Sequence, residues 1–128
     1  MQLDGLDHVA IAVRDIAESV AWYQRVLGLV RRHEAVWGDF PAVVGVGTTS
    51  LALFPVRTPN PSPAPGKDSL VIKHIAFRAG AAAFAVAQRH LEALGVAFHF
   101  QDHDIAHSIY LRDPDGHKIE ITTYLHEV

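Results

Sequence analysis

The chain opens with an alternating run, "LDHVAIAV" at residues 6–13, that sets Val9, Ile11 and Val13 against His8, Ala10 and Ala12. Period two is the signature of a half-buried strand, whose successive side chains point to opposite faces. The period then changes. Ile16, Val20, Tyr23 and Leu27 recur at helical spacing, Asp15 and Glu18 form a capping-box pair ahead of them, and Gly28 follows as a stop. Three strand-like stretches come next, at residues 30–37, 41–47 and 50–56.

A proline-rich segment, "RTPNPSPAPGKDS" at 57–69, breaks the pattern and reads as a linker or surface loop. The pattern then restarts with a strand at 71–78 and a helix at 81–94, with Phe84, Ala87, Leu91 and Leu94 inward and Gly95 as its stop. Strands at 96–101, 107–112 and 118–124 complete the chain. The element order is therefore β-α-β-β-β, twice. "DHVAIAV" overlays "KHIAF", so His8 and His74 take equivalent places, and the stop glycine comes 20 residues after the first histidine and 21 after the second. Repetition on this scale predicts an α+β fold of two βαβββ modules whose sheets face one another. Residues 1–128 read as a single domain, with module one at about 5–56, the linker at about 57–69 and module two at about 70–126.

Composition removes several function classes. Lys and Arg number 11 against 14 Asp and Glu and form no basic run, which argues against a nucleic-acid partner. No apolar stretch approaches the ~20 residues of a membrane span. The N-terminus lacks the basic start and cleavage site of a secretory signal, so a cytoplasmic location is the expectation. Cysteine is absent and histidine occurs nine times, which leaves imidazole as the obvious metal ligand.

Three apolar strands carry an ionisable residue on the face turned away from the predicted helices. His8 opposes Val9 and Ile11, His74 opposes Ile75 and Phe77, and Glu120 opposes Ile119 and Ile121. Small residues follow both histidines two positions on, leaving room for something else. Two imidazoles and a carboxylate are the ligand set of open metal sites, including the iron(II) facial triad and catalytic zinc. A lone strand histidine is more often structural. Two at equivalent repeat positions, with a glutamate on the same kind of face, favour a metal.

With these residues in place the sequence resembles the vicinal oxygen chelate superfamily of glyoxalase I, fosfomycin- and bleomycin-resistance proteins and extradiol dioxygenases. "LDHVAIAVRDIAESVAWYQRVLGL", "KHIAFR" and "YLRDPDGHKIEI" are similar to its opening strand and helix, second-module strand and closing hairpin. The resemblance implies curved mixed sheets around a cavity holding one divalent metal on His8, His74 and Glu120. It further implies a small-molecule substrate chelated through adjacent oxygens, and a homodimer in which His8 can meet His74 and Glu120 of the partner chain. Glyoxalase activity is disfavoured, because the strand "SLALFPV" carries no carboxylate near Ala52 where that enzyme has one. Tyr110, ten residues before Glu120, matches a tyrosine of the extradiol dioxygenases and is the candidate catalytic residue. The favoured reading is dioxygenase-like chemistry with Fe2+ or Mn2+, although Zn2+, Ni2+ and Co2+ suit the same ligands. A lyase, isomerase or fosfomycin-resistance-like thiol transferase, and a non-catalytic binding protein, are the alternatives. Arg78 and Arg112 are candidates to fix an acidic substrate, and Trp37 and Phe40 to border the cavity.

Overall fold

In the computed structural model, which describes residues 1–63 and 68–126, the first change of period falls at Asp15. Strand β1 (His8–Val13) ends there. The Asp15 carboxylate accepts the Glu18 amide at 2.9 Å and starts α1 (Ile16–Leu27), satisfying one of the donors that a helix N-terminus leaves free. Gly28, at φ 70°, takes the left-handed conformation that closes the helix. β2 (Val30–Arg32), a single turn of helix α2 (Glu34–Trp37), β3 (Ala42–Val46) and β4 (Thr49–Pro55) follow.

The stretch 30–37 is thus not one strand. His33 adopts φ 58°, and Arg31 Nη2 donates to the Gly38 carbonyl at 2.7 Å and pairs with Asp39 at 2.8 Å. These contacts fold the chain back over the end of β2. Alternation alone could not foresee them, because they depend on polar partners seven and eight residues away.

The second half repeats the plan with β5 (Ile75–Arg78), α3 (Ala81–Leu94), β6 (His99–Asp102), β7 (Ala106–Arg112) and β8 (Lys118–Tyr124). β5 starts at Ile75 rather than at 71, so His74 lies just ahead of the strand that the alternation had included it in. Leu94, expected inward, is 39% exposed on the last turn of α3, whereas Phe84 and Leu91 are buried. The centre of the predicted linker, 64–67, lies outside the described residues.

The chain divides into two compact units, Met1–Pro63 and Ala64–Val128, and each contains one four-stranded mixed sheet. The strand order is the same in both, β1-β4-β3-β2 and β5-β8-β7-β6. The first and last strands of each unit are parallel neighbours, and the other pairs are antiparallel. Register then sorts the side chains. In the first unit Val13, Val44, Leu51 and Leu53 share the face against α1 and are at most 1% exposed. In the second, Ile109, Leu111 and Ile119 are buried on the face that α3 covers through β8. Among the described residues no helix is long and apolar enough to cross a membrane.

Leu53→Ala is expected to lower unfolding free energy by about 3 kcal/mol, by deleting a fully buried side chain from the helix-covered face. Asp15→Ala is expected to cost about 1 kcal/mol through loss of the cap. Urea denaturation of both variants checks this; a Leu53→Ala loss below about 1 kcal/mol would mean that face is poorly packed.

Candidate metal centre

Glu120 occupies an even position of β8, so Ile119 and Ile121 take the helix side and its carboxylate takes the opposite face. Its neighbours across the ladder are Ala76 on β5 and Tyr110 on β7. Alanine leaves space beside the carboxylate, and tyrosine reaches over it. The Glu120 side chain is only 10% exposed, and a buried carboxylate needs partners. It has two. His74 Nε2 lies 2.8 Å from Oε1, and the Ser108 hydroxyl donates to Oε2 at 2.7 Å. Ser108, fully buried, also lies 3.0 Å from Thr122 Oγ1, which extends the polar contacts along the same face.

Tyr110 belongs to this group. Ile109 and Leu111 take the buried face, so its ring stands with Glu120, as the sequence predicts. The ring meets His74 edge-on at 5.9 Å, and the Lys118 ammonium sits 4.7 Å from its centroid. Its hydroxyl lies 2.9 Å from His103 Nε2. Burial pushes the Tyr110 phenol above its ordinary value, and the negative charge and hydrogen bonding of Glu120 add to the rise. The phenol therefore holds its proton at neutral pH and can donate it as a hydrogen bond.

His8 lies in the other unit, at the start of β1 on the face opposite α1. Its Nδ1 is 2.8 Å from Asp7 Oδ2. A carboxylate on one ring nitrogen selects the tautomer that presents the other nitrogen as a lone pair, which is how metal-binding imidazoles are commonly held. Of the three predicted ligands, then, His74 and Glu120 are in contact and His8 stands in the first unit. No cluster of three or more His, Asp or Glu side chains placed for a metal occurs among the described residues.

The donor chemistry fits a divalent metal. An imidazole nitrogen and a carboxylate oxygen that share a proton at 2.8 Å can share a cation instead, with Ser108 steadying the second carboxylate oxygen. One neighbour of the site, Asp7, escaped the sequence reading. It stands at the head of the first alternating run, where a lone carboxylate reads as a solvated strand end, whereas His103, in the turn between β6 and β7, is one of three histidines, with His99 and His107, that sequence alone does not rank. The arginines expected to hold an acidic substrate are otherwise engaged. Arg78 covers the Tyr124 ring at 4.6 Å, and Arg112 donates to the Gly116 carbonyl at 3.0 Å. The His117 backbone amide donates to Asp113 Oδ1 in the hairpin turn at 2.8 Å.

Glu120→Gln is expected to lower the Tyr110 pKa in metal-free protein while leaving it above the ordinary 10, because burial persists after the charge is gone. Ultraviolet difference titration against Tyr110→Phe isolates this phenol from Tyr23 and Tyr124. An unchanged titration would show that the carboxylate charge does not reach it.

The sequence and the fold have counterparts. The description Glyoxalase/Bleomycin resistance protein/Dioxygenase superfamily matches residues 5–121. "Glyoxylase I 4" of Arabidopsis thaliana is 29% identical over 129 residues, covering 94% of this chain and 71% of that protein. "Glutathione transferase FosA" of Serratia marcescens is 30% identical over 119 residues, covering 93% of this chain and 80% of that protein. A glyoxalase/dioxygenase from Nostoc punctiforme superimposes with TM-score 0.80 at 25% identity, over 96% of this chain and 92% of that one. The duplicated βαβββ frame, the face on which its polar residues gather and a match across nearly the whole chain agree: the chain belongs to the glyoxalase/bleomycin resistance protein/dioxygenase superfamily.

Proposed function

We propose that the chain is a metal-dependent enzyme, with His8, His74 and Glu120 as ligands, acting on a small substrate that carries two adjacent oxygens. The observation that carries this is the buried Glu120 carboxylate, held between His74 Nε2 and the Ser108 hydroxyl with Tyr110 on the same face. A divalent cation bound there supplies Lewis acidity, polarising substrate oxygens and stabilising the negative charge that develops on them.

The chain's own groups divide the remaining work. Ser108 fixes the carboxylate, so its orientation is set before substrate arrives. Tyr110 keeps its proton and offers a hydrogen bond to an oxygen that gains charge. His103, bonded to the Tyr110 hydroxyl at 2.9 Å, orients that hydroxyl and links its proton to the imidazole. The favoured reaction is dioxygenase-like cleavage of a vicinal diol or enolic substrate with Fe2+ or Mn2+, the class whose tyrosine Tyr110 matches. A thiol transfer or lyase reaction needing only Lewis acidity is the second reading. The likeness to "Glutathione transferase FosA" favours it. The working unit in either case is a homodimer with ligands drawn from both chains.

Elemental analysis of the purified protein is expected to give about one divalent metal per chain, falling at least tenfold in His74→Ala and in Glu120→Gln. Oxygen uptake with catechols should accompany iron or manganese. Turnover of an adjacent-oxygen substrate with thiol but no oxygen consumption would move the assignment to the second reading. Wild-type protein that neither retains nor takes up metal would remove both. Light scattering on a size-exclusion column checks the dimer, where a monomer mass would limit the ligand set to one chain.

A further inference from the structure

The first unit contains a cavity of about 560 Å3 on the face opposite α1, lined by residues that include Arg32, Trp37, Val43, Ser50, Ala52 and Phe54. Register explains why these side chains meet. Arg32 pairs with Val43, Val43 with Ala52 and Gly45 with Ser50, so all of them project from one face of the sheet. That face also carries His8, which pairs with Ser50.

Arg32 differs from the arginine beside it. Arg31 points to the other face and is neutralised by Glu34 and Asp39. Arg32 has no carboxylate partner among the described residues. Its Nη1 donates to Ser50 Oγ at 3.2 Å and reaches the Thr49 carbonyl at 3.5 Å, which holds the side chain across the sheet while Nε and Nη2 keep their donors. The sheet is shaped to admit it. Gly45 is an ordinary strand residue with no need for a positive φ, yet a Cβ there would lie 2.7 Å from Arg32 Nη1, 2.8 Å from Ser50 Oγ and 2.5 Å from the Thr49 carbonyl oxygen. Only glycine leaves the guanidinium and the carbonyl their places.

The walls are apolar and aromatic. Phe54 is steadied edge-on by Phe40 at 5.4 Å, and Trp37 by the His33 ring at 5.0 Å. His33 is one of two non-glycine residues at positive φ among the described residues, and the turn it makes brings Trp37 to the rim. The acidic lining residue is Asp7, which is paired with His8.

We propose that this cavity binds the carboxylate of a planar, aromatic acid, with Arg32 as the specificity-determining residue. A guanidinium fork matches a carboxylate with two parallel hydrogen bonds, and Trp37 and Phe54 supply flat apolar area for a ring. One arginine, with no lysine or second arginine in the lining, suits a monoanion better than a phosphonate dianion. The inference deepens the metal-enzyme reading by naming the substrate class. It rests on that reading only for which end of the substrate is turned towards the metal.

Isothermal titration of the full chain with benzoate, as purified and after EDTA treatment, separates the two ideas because benzoate has no adjacent hydroxyls to chelate. Binding at about millimolar affinity or tighter is expected in both states. Benzamide and phenylphosphonate should each bind at least tenfold more weakly. Arg32→Gln should weaken benzoate about tenfold to a hundredfold, with benzamide unchanged as proof that the cavity is still folded, and Arg32→Lys should fall between. Benzoate binding equally well to Arg32→Gln, benzamide or phenylphosphonate matching benzoate, or no benzoate binding to wild type would each overturn the proposal. Failure of the metal reading would appear separately, as wild-type protein that neither retains nor takes up a divalent metal yet still discriminates benzoate from benzamide.

Discussion

A strand can give only every second side chain to a given face, and each unit of this protein covers one face of its sheet with a helix. That constraint organises everything else. Once Leu51, Leu53, Ile109 and Ile119 are committed beneath α1 and α3, the residues between them must stand on the opposite face. Glu120, Tyr110, His8 and Arg32 are among those intervening residues. Burial on one side therefore fixes chemistry on the other, and a one-residue slip of β8 would put Glu120 among leucines and isoleucines.

Much of this could be read from the chain because strand alternation and helix punctuation are local. The capping pair at Asp15 and Glu18, the glycine stops at 28 and 95 and the limits of α3 and β8 all depend on residues within one turn of each other. The shared face of Tyr110 and Glu120 was legible for the same reason. What escaped were features set by side chains far apart in sequence. The break of β2 depends on Arg31 finding Asp39, and the late start of β5 depends on where β8 offers partners. The Ser108 bond to Glu120 spans 12 residues and crosses a hairpin.

Arginine shows the difference most clearly. Sequence reading offers Arg78 and Arg112 only as weaker candidates, because strand-end arginines are usually solvated. Their guanidinium groups instead serve local structure, over Tyr124 and on the Gly116 carbonyl. Arg32 is not singled out by the sequence at all. Its face, its freedom from carboxylates and the glycine beneath it are properties of register, and no single segment displays them.

The two sheets share one strand order, so positions in one unit can be matched with positions in the other. His8 corresponds to His74, and the pair Ala10–Ala52 corresponds to Ala76–Glu120. The duplication therefore holds in the strand order of the sheets and is broken in its chemistry. One unit spends the equivalent position on a carboxylate, and the other spends it on a methyl group that borders open volume. In a duplicated frame of this kind, charge and space compete for the same coordinate. Each copy that gives up its acid gives a substrate room, and the number of carboxylates retained sets how much of the site is left for a ligand from outside.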